Sequence, residues 1–157
     1  MPEIAIAAIA GVVAGLVASA AMNLYQGATA SLFGQDKSHD DPATVKAADS
    51  VSEAVEGRPI TRHRRATGNI VHYATGIALG LFYSVLVWAW PEAAIGFGIA
   101  FGIVVAIVLD DLLVPAFGWG RWPWRTNLAT HLYGLSAHAV FGAVLEGGRR
   151  AIVVILT

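Results

Sequence analysis

Four apolar stretches divide the chain, over residues 4–33, 68–90, 93–113 and 128–146. Each is long enough to cross ~30 Å of hydrocarbon as a helix, and a helix satisfies its own backbone hydrogen bonds in lipid. The pattern predicts an all-α, polytopic membrane protein, with a single four-helix transmembrane bundle over residues 1–157. The N-terminal run MPEIAIAAIAGVVAGLVASAAM carries only Glu3 as an early charge. It lacks the basic start of a signal peptide and reads as a retained first span.

Residues 34–67 break the apolar pattern. They hold six of the ten Lys/Arg and six of the eleven acidic residues. Asp41 as N-cap, Pro42 in the first turn and Gly57 as a stop frame the segment ATVKAADSVSEAVE as a short cytoplasmic helix between the first two spans. Val45, Ala48, Ser52 and Val55 share one face, so the helix is amphipathic and suited to a membrane surface or to the side of the bundle. Residues 116–127 add two more arginines and Trp119, Trp122 and Trp124, which suit the headgroup layer. Trp88 and Trp90 suit the opposite interface. With Arg149 and Arg150 alone on the other side, the positive-inside rule puts loops 34–67 and 116–127 in the cytoplasm of a bacterial inner membrane and both termini outside. The tail AIVVILT is too short to span and is expected to fold back on the surface.

Composition sharpens the class. Only 13 % of residues are charged, against 56 % hydrophobic, where a soluble domain carries about 25 % charged residues. A net charge of −1 offers nothing to nucleic acid. The absence of cysteine excludes disulfides, thiolate metal sites, covalent haem attachment and cysteine nucleophiles. No nucleophile–base pair or phosphate-binding loop is visible, so the sequence favours a protein that is not an enzyme.

Small residues recur at intervals of four in every span. The stripes include Gly11 and Gly15, Gly76 and Gly80, Gly98 and Gly102, and Gly134 and Gly142. This spacing lets helix backbones approach closely in lipid, where apolar burial gives no driving force. The same stripes carry His72, Asp110, His138 and Glu146, which therefore face neighbouring helices. An ionisable group at the centre of a bilayer costs at least ~2.5–3.5 kcal/mol. Gly68-x3-His72-x3-Gly76 also has the form of Gly134-x3-His138-x3-Gly142, a weak repeat of a two-helix unit.

Helix rise groups these residues by depth. His72, Asp110, Asp111 and His131 fall at one level near the cytoplasmic end, with His138 about 10 Å deeper and Glu146 toward the outside. Four uses of such a set stay open. Histidine and carboxylate pairs relay protons or ions. They also ligate a divalent metal, or a haem iron between two histidines. They also simply glue helices together. A chain so rich in small-residue faces also suits an accessory subunit packed in a larger membrane complex, or a homo-oligomer in the bilayer.

Several segments together resemble the YagU-like family of bacterial inner-membrane proteins, a domain family of unknown function. They are AGLVASAAMNLYQ (14–26), PATVKAADSVSEAVEGRPI (42–60), GNIVHYATGIALGLFY (68–83), DDLLVPAFGW (110–119) and GLSAHAVFGAVLEGGRR (134–150). The resemblance covers nearly the whole chain. It implies a multi-span inner-membrane protein, with one branch tied to survival under acid stress. It carries over no catalytic or binding roles.

Overall fold

The computed structural model describes residues 2–35 and 40–157, so residues 36–39 of the 34–67 loop lie outside the described residues. Among the described residues five helices make up the fold: α1 Glu3–Thr29, α2 Ala43–Glu56, α3 Arg64–Ala89, α4 Ile99–Ala116 and α5 Leu128–Leu156. No strand occurs among the described residues. α1, α3 and α4 are long and apolar enough to cross a membrane, with mean hydropathies of 2.4, 1.7 and 2.3 over their most apolar windows. α5 is as long as α1 but sets His131, His138, Glu146, Arg149 and Arg150 into its apolar sequence.

α1 lies at the centre, antiparallel to α3 and to α5, and α4 packs on α5. Glycine sets the α1–α3 spacing. A Cβ on Gly11 would stand 2.5 Å from the Gly80 carbonyl oxygen and 2.8 Å from Ser84 Cβ. One on Gly15 or Gly76 would run into the opposite backbone or Ser19. Gly98, Gly102 and Gly142 do the same between α4 and α5. Backbones this close gain dispersion contacts that larger side chains would forbid. Gly134 differs from the other stripe glycines. Its nearest neighbour is Asp110 Oδ2 at 3.6 Å, so it makes room for a carboxylate and not for a backbone. The buried hydroxyls on this seam are satisfied: Ser84 donates to the Ala7 carbonyl at 2.6 Å and Ser19 to that of Gly15 at 2.9 Å.

α2 forms where its amphipathic pattern predicts, but its start differs. Pro42 takes the N-cap position without a side-chain cap. Asp41, expected there, instead pairs with Arg64 at 2.7 Å. Arg64 also grips both oxygens of Asp49 at 3.0 and 2.7 Å, a bidentate arrangement that a carboxylate within the helix satisfies better than a cap does. Val45 seats over Gly68, and Trp119 donates its indole N–H to Ser50 at 2.8 Å. Val55, on the expected apolar face, is 80 % exposed, so the last turn stands off the bundle. Partly exposed ion pairs each contribute only ~0.2–1 kcal/mol. α2 buries just Val45 and Ala48 fully, so a loss of that size should show. Arg64→Gln is expected to speed tryptic cleavage after Lys46 by about fivefold through local opening. An unchanged rate would mean that Val45 and Trp119 hold the helix without the arginine.

Two boundaries depart from the hydropathy pattern. The third stretch was expected to be helical from residue 93, yet α4 begins only at Ile99. Pro91–Ala94 form a 3-10 turn, and Gly96, Phe97 and Gly98 all have positive φ, at 63°, 55° and 78°. Three left-handed residues in a row stop a helix, and Phe97 carries a cost of about 1–2 kcal/mol there. Its ring is held against the Gly147 position and beneath the Arg150 guanidinium, 5.0 Å from the ring centre.

The second departure is the tail. α5 was expected to end near residue 146, with AIVVILT folded back. It continues to Leu156 as one helix. Ile152 packs against the core to which Ala14 and Ala18 of α1 belong, while Val154 and Ile155 stay exposed. A Cβ on Gly148 would lie 3.1 Å from Ala14 Cβ, half-way along α1. Arg149 and Arg150 therefore sit within the length of the bundle, not in an outer loop.

Candidate functional site

A cavity of about 460 Å³ lies between α1, α3, α4 and α5 beneath the first half of α2. Its walls are mostly apolar, with Met22, Leu79, Leu113 and Phe141 among them. Asn23, Asn69, His72, Asp110 and His138 interrupt that surface, and no Lys or Arg side chain lines it among the described residues. The roof comes from Pro42, Ala43, Thr44 and Ala47, and Phe117 and Trp119 stack beside it with ring centres 4.9 Å apart.

Asp110 and Asp111 enter the site from a π-helical turn, Ile107–Leu113, inside α4. Such turns are rare and recur at functional sites. Here two adjacent residues reach two histidines seven positions apart on α5. Asp110 Oδ2 lies 3.1 Å from His138 Nε2, and Asp111 Oδ1 lies 3.4 Å from His131 Nδ1. His131 Nε2 is also 2.9 Å from the Pro123 carbonyl, so it donates there and offers Nδ1 to the aspartate side. His72 belongs to neither pair. It lines the same cavity, with Nε2 at a long 3.4 Å from the Ser19 carbonyl.

Depth from helix rise alone put His138 about 10 Å below Asp110. The imidazole closes that gap because helical side chains lean toward the N-terminus of their helix, here toward Asp110. The structure arranges these residues as two separate His–Asp pairs, Asp110 with His138 and Asp111 with His131, and leaves His72 outside both. Among the described residues no three His, Asp or Glu side chains converge to hold a metal ion.

His138 is the unusual member. Its side chain is 9 % exposed, and its Nδ1 is buried with no hydrogen-bond partner among the described residues. A carboxylate accepts, so Nε2 donates to Asp110, and Nδ1 is left as a bare acceptor. Asp110, half-exposed at the cavity wall, balances the charge of the ring if Nδ1 gains a proton.

Past Phe141, Leu145 and Tyr83 close the core, and a second polar group lies beyond them. Glu146 is fully buried. Its Oε2 accepts from Arg149 Nε at 2.7 Å and from the Tyr83 hydroxyl at 3.0 Å. Its Oε1 accepts from Arg149 at 2.9 Å and from Arg150 at 2.6 Å. Eight residues of helix, or about 12 Å, separate Glu146 from His138. Sequence reasoning placed Glu146 but missed Arg149 and Tyr83 as its partners. The signal was present in the i, i+3 and i, i+4 spacing of Glu146, Arg149 and Arg150.

The tryptophans fall at opposite ends of the bundle. Trp88 Nε1 lies 3.4 Å from Glu3 Oε2, with Trp90 just after it at the end of α3. Trp122 and Trp124 stack at 5.0 Å near the start of α5.

No curated protein and no solved structure matches the chain. Residues 60–147 match a family model described as "Protein of unknown function (DUF1440)". The match takes in α3, α4 and both His–Asp pairs, and it stops short of Arg149. On that match, over more than half its length, the chain belongs to the DUF1440 family.

Proposed function

We propose that this is a four-span protein of the bacterial inner membrane that handles protons through His138 and Asp110. α5 is taken as the fourth span, with α2 and the cavity roof at the cytoplasmic end. Arg149 and Arg150 lie within α5, so the outer side loses the only Lys/Arg assigned to it, and the positive-inside bias strengthens. The observation that carries the reading is the bare, buried Nδ1 of His138 beside a carboxylate at a cavity wall. An imidazole so placed takes a proton from the cavity and holds it as an ion pair with Asp110. Histidine titrates near neutral pH, where cytoplasmic acidification acts. A protein that loads protons from one face is suited to acid stress.

The reading is tested by ring-nitrogen NMR of isotope-labelled protein in nanodiscs. Under acidic conditions the parent is expected to show His138 with both ring nitrogens protonated, and Asp110→Asn is expected to lose that signal, because the protonated ring no longer has an ion-pair partner. A His138 ring that stays in one neutral tautomer under acid sinks the proposal.

A further inference from the structure

We infer that the cavity beneath α2 is a binding site for an amphipathic organic monocation. The inference shares Asp110 with the proton reading and adds the species that competes for it. Three observations converge. The cavity, at about 460 Å³, falls within the ~300–1,000 Å³ of small-molecule sites. Its permanent charge has one sign: Asp110 is the carboxylate on its wall, no Lys or Arg opposes it among the described residues, and His72 and His138 are the wall's two imidazoles. The remaining surface suits the apolar body of such a ligand, with Met22, Leu79, Leu113 and Phe141 as walls.

The Asp110 carboxylate has a free half. Oδ2 meets His138, while Oδ1 makes no hydrogen bond among the described residues, and the side chain is 49 % exposed. A cation in the cavity approaches Oδ1 without first breaking the His138 contact. Phe117 and Trp119, stacked beside it, add aromatic surface of the kind that attracts cations. Anions meet the opposite situation: the carboxylate repels them, no Lys or Arg offsets it among the described residues, and the imidazole beside it, His138, is already committed to Asp110.

The charge balance fixes how cation and proton are coupled. With His138 protonated, Asp110 and the imidazolium sum to zero. When the monocation enters and pairs with Asp110, the proton on His138 Nδ1 loses its compensation and leaves through the cavity to water. The site is again neutral, now with one cation in place of one proton. Cation and proton therefore exchange one for one, without net charge entering the bundle.

Isothermal titration of the purified full-length protein in detergent with tetraphenylphosphonium tests this. Saturable binding is expected. Repeating it in buffers of different ionisation enthalpy is expected to show about one proton released per cation at a pH where His138 is protonated. Asp110→Asn is expected to weaken binding about tenfold or more. Because that variant also changes the His138 contact, Ala47→Phe provides an independent check: it fills the cavity from the roof, leaves Asp110 intact, and is expected to abolish binding. Tetraphenylborate, of like shape and opposite charge, is expected not to bind. Equal binding of the borate, or undiminished binding in both variants, would reduce the signal to apolar partition and overturn the inference. Binding without proton release would keep the cation site and overturn the coupling to His138. Titration of His138 without any phosphonium binding would remove the cation site and leave the proton reading standing.

Discussion

Glu146→Gln is expected to destabilise the protein by about 3–5 kcal/mol, the cost of leaving a buried charge without its partner. Arg149 is the charge at stake. Its side chain is 15 % exposed and reaches Glu146 through two hydrogen bonds. Arg150 is half-exposed and rests on Phe97, so it can turn its guanidinium outward as Arg149 cannot. An amide still accepts one bond, but it supplies no charge. The measurement is thermal unfolding in detergent, together with the amount of protein that accumulates in the membrane. Replacing the set together, Glu146→Leu with Arg149→Met and Arg150→Met, is expected to recover most of the loss, since no charge is then stranded. A single variant that melts like the parent would show that water or lipid already screens this group.

The second large effect lies on the α1–α3 seam. Gly80→Val would set a Cβ against the Gly11 carbonyl and 2.7 Å from Gly15 Cα. Both obstacles are backbone, so no rotamer change relieves them. The helices must separate, and Ser84 then loses the Ala7 carbonyl. The expected outcome is a protein that aggregates on extraction or is degraded before it accumulates. Gly27→Ala in α1, the partner helix, is the control. Among the described residues nothing lies within 4 Å of its added methyl, and it is expected to stabilise by about 0.5–1 kcal/mol. If the two variants behave alike, the close approach of α1 and α3 is not what holds the bundle.

The helices and their glycine seams were legible because lipid imposes a strong rule: long apolar runs must be helical, and helices without a hydrophobic drive need small contact residues. The α2 pattern was equally plain. The late start of α4 was hidden, since AAIGFG at 93–98 is apolar and hydropathy carries no information on φ; the flanking glycines of Phe97 were the only hint. That Asp110 and His138 face a neighbouring helix was legible from the stripes that hold them. Their pairing was not. It depends on the lean of a side chain and on a π turn, and neither leaves a mark in residue spacing. The roof over the cavity was out of reach as well, because Trp119 read as a headgroup anchor and its bond to Ser50 joins residues 69 positions apart.

The left-handed run before α4 also bears on how the chain is made. Gly98 abuts Gly142 and Glu146, and Gly148 abuts the middle of α1, so α4 starts about half-way along the bundle. The surface that covers its glycines belongs to α5, which leaves the ribosome after α4. α1 and α3 can pair as soon as both have been synthesised. Residues 95–106 must wait, with the close-packing faces of Gly98 and Gly102 uncovered, until Gly142 arrives. A nascent chain halted before α5 therefore offers a quality-control protease a local, recognisable defect, whereas one halted after it does not.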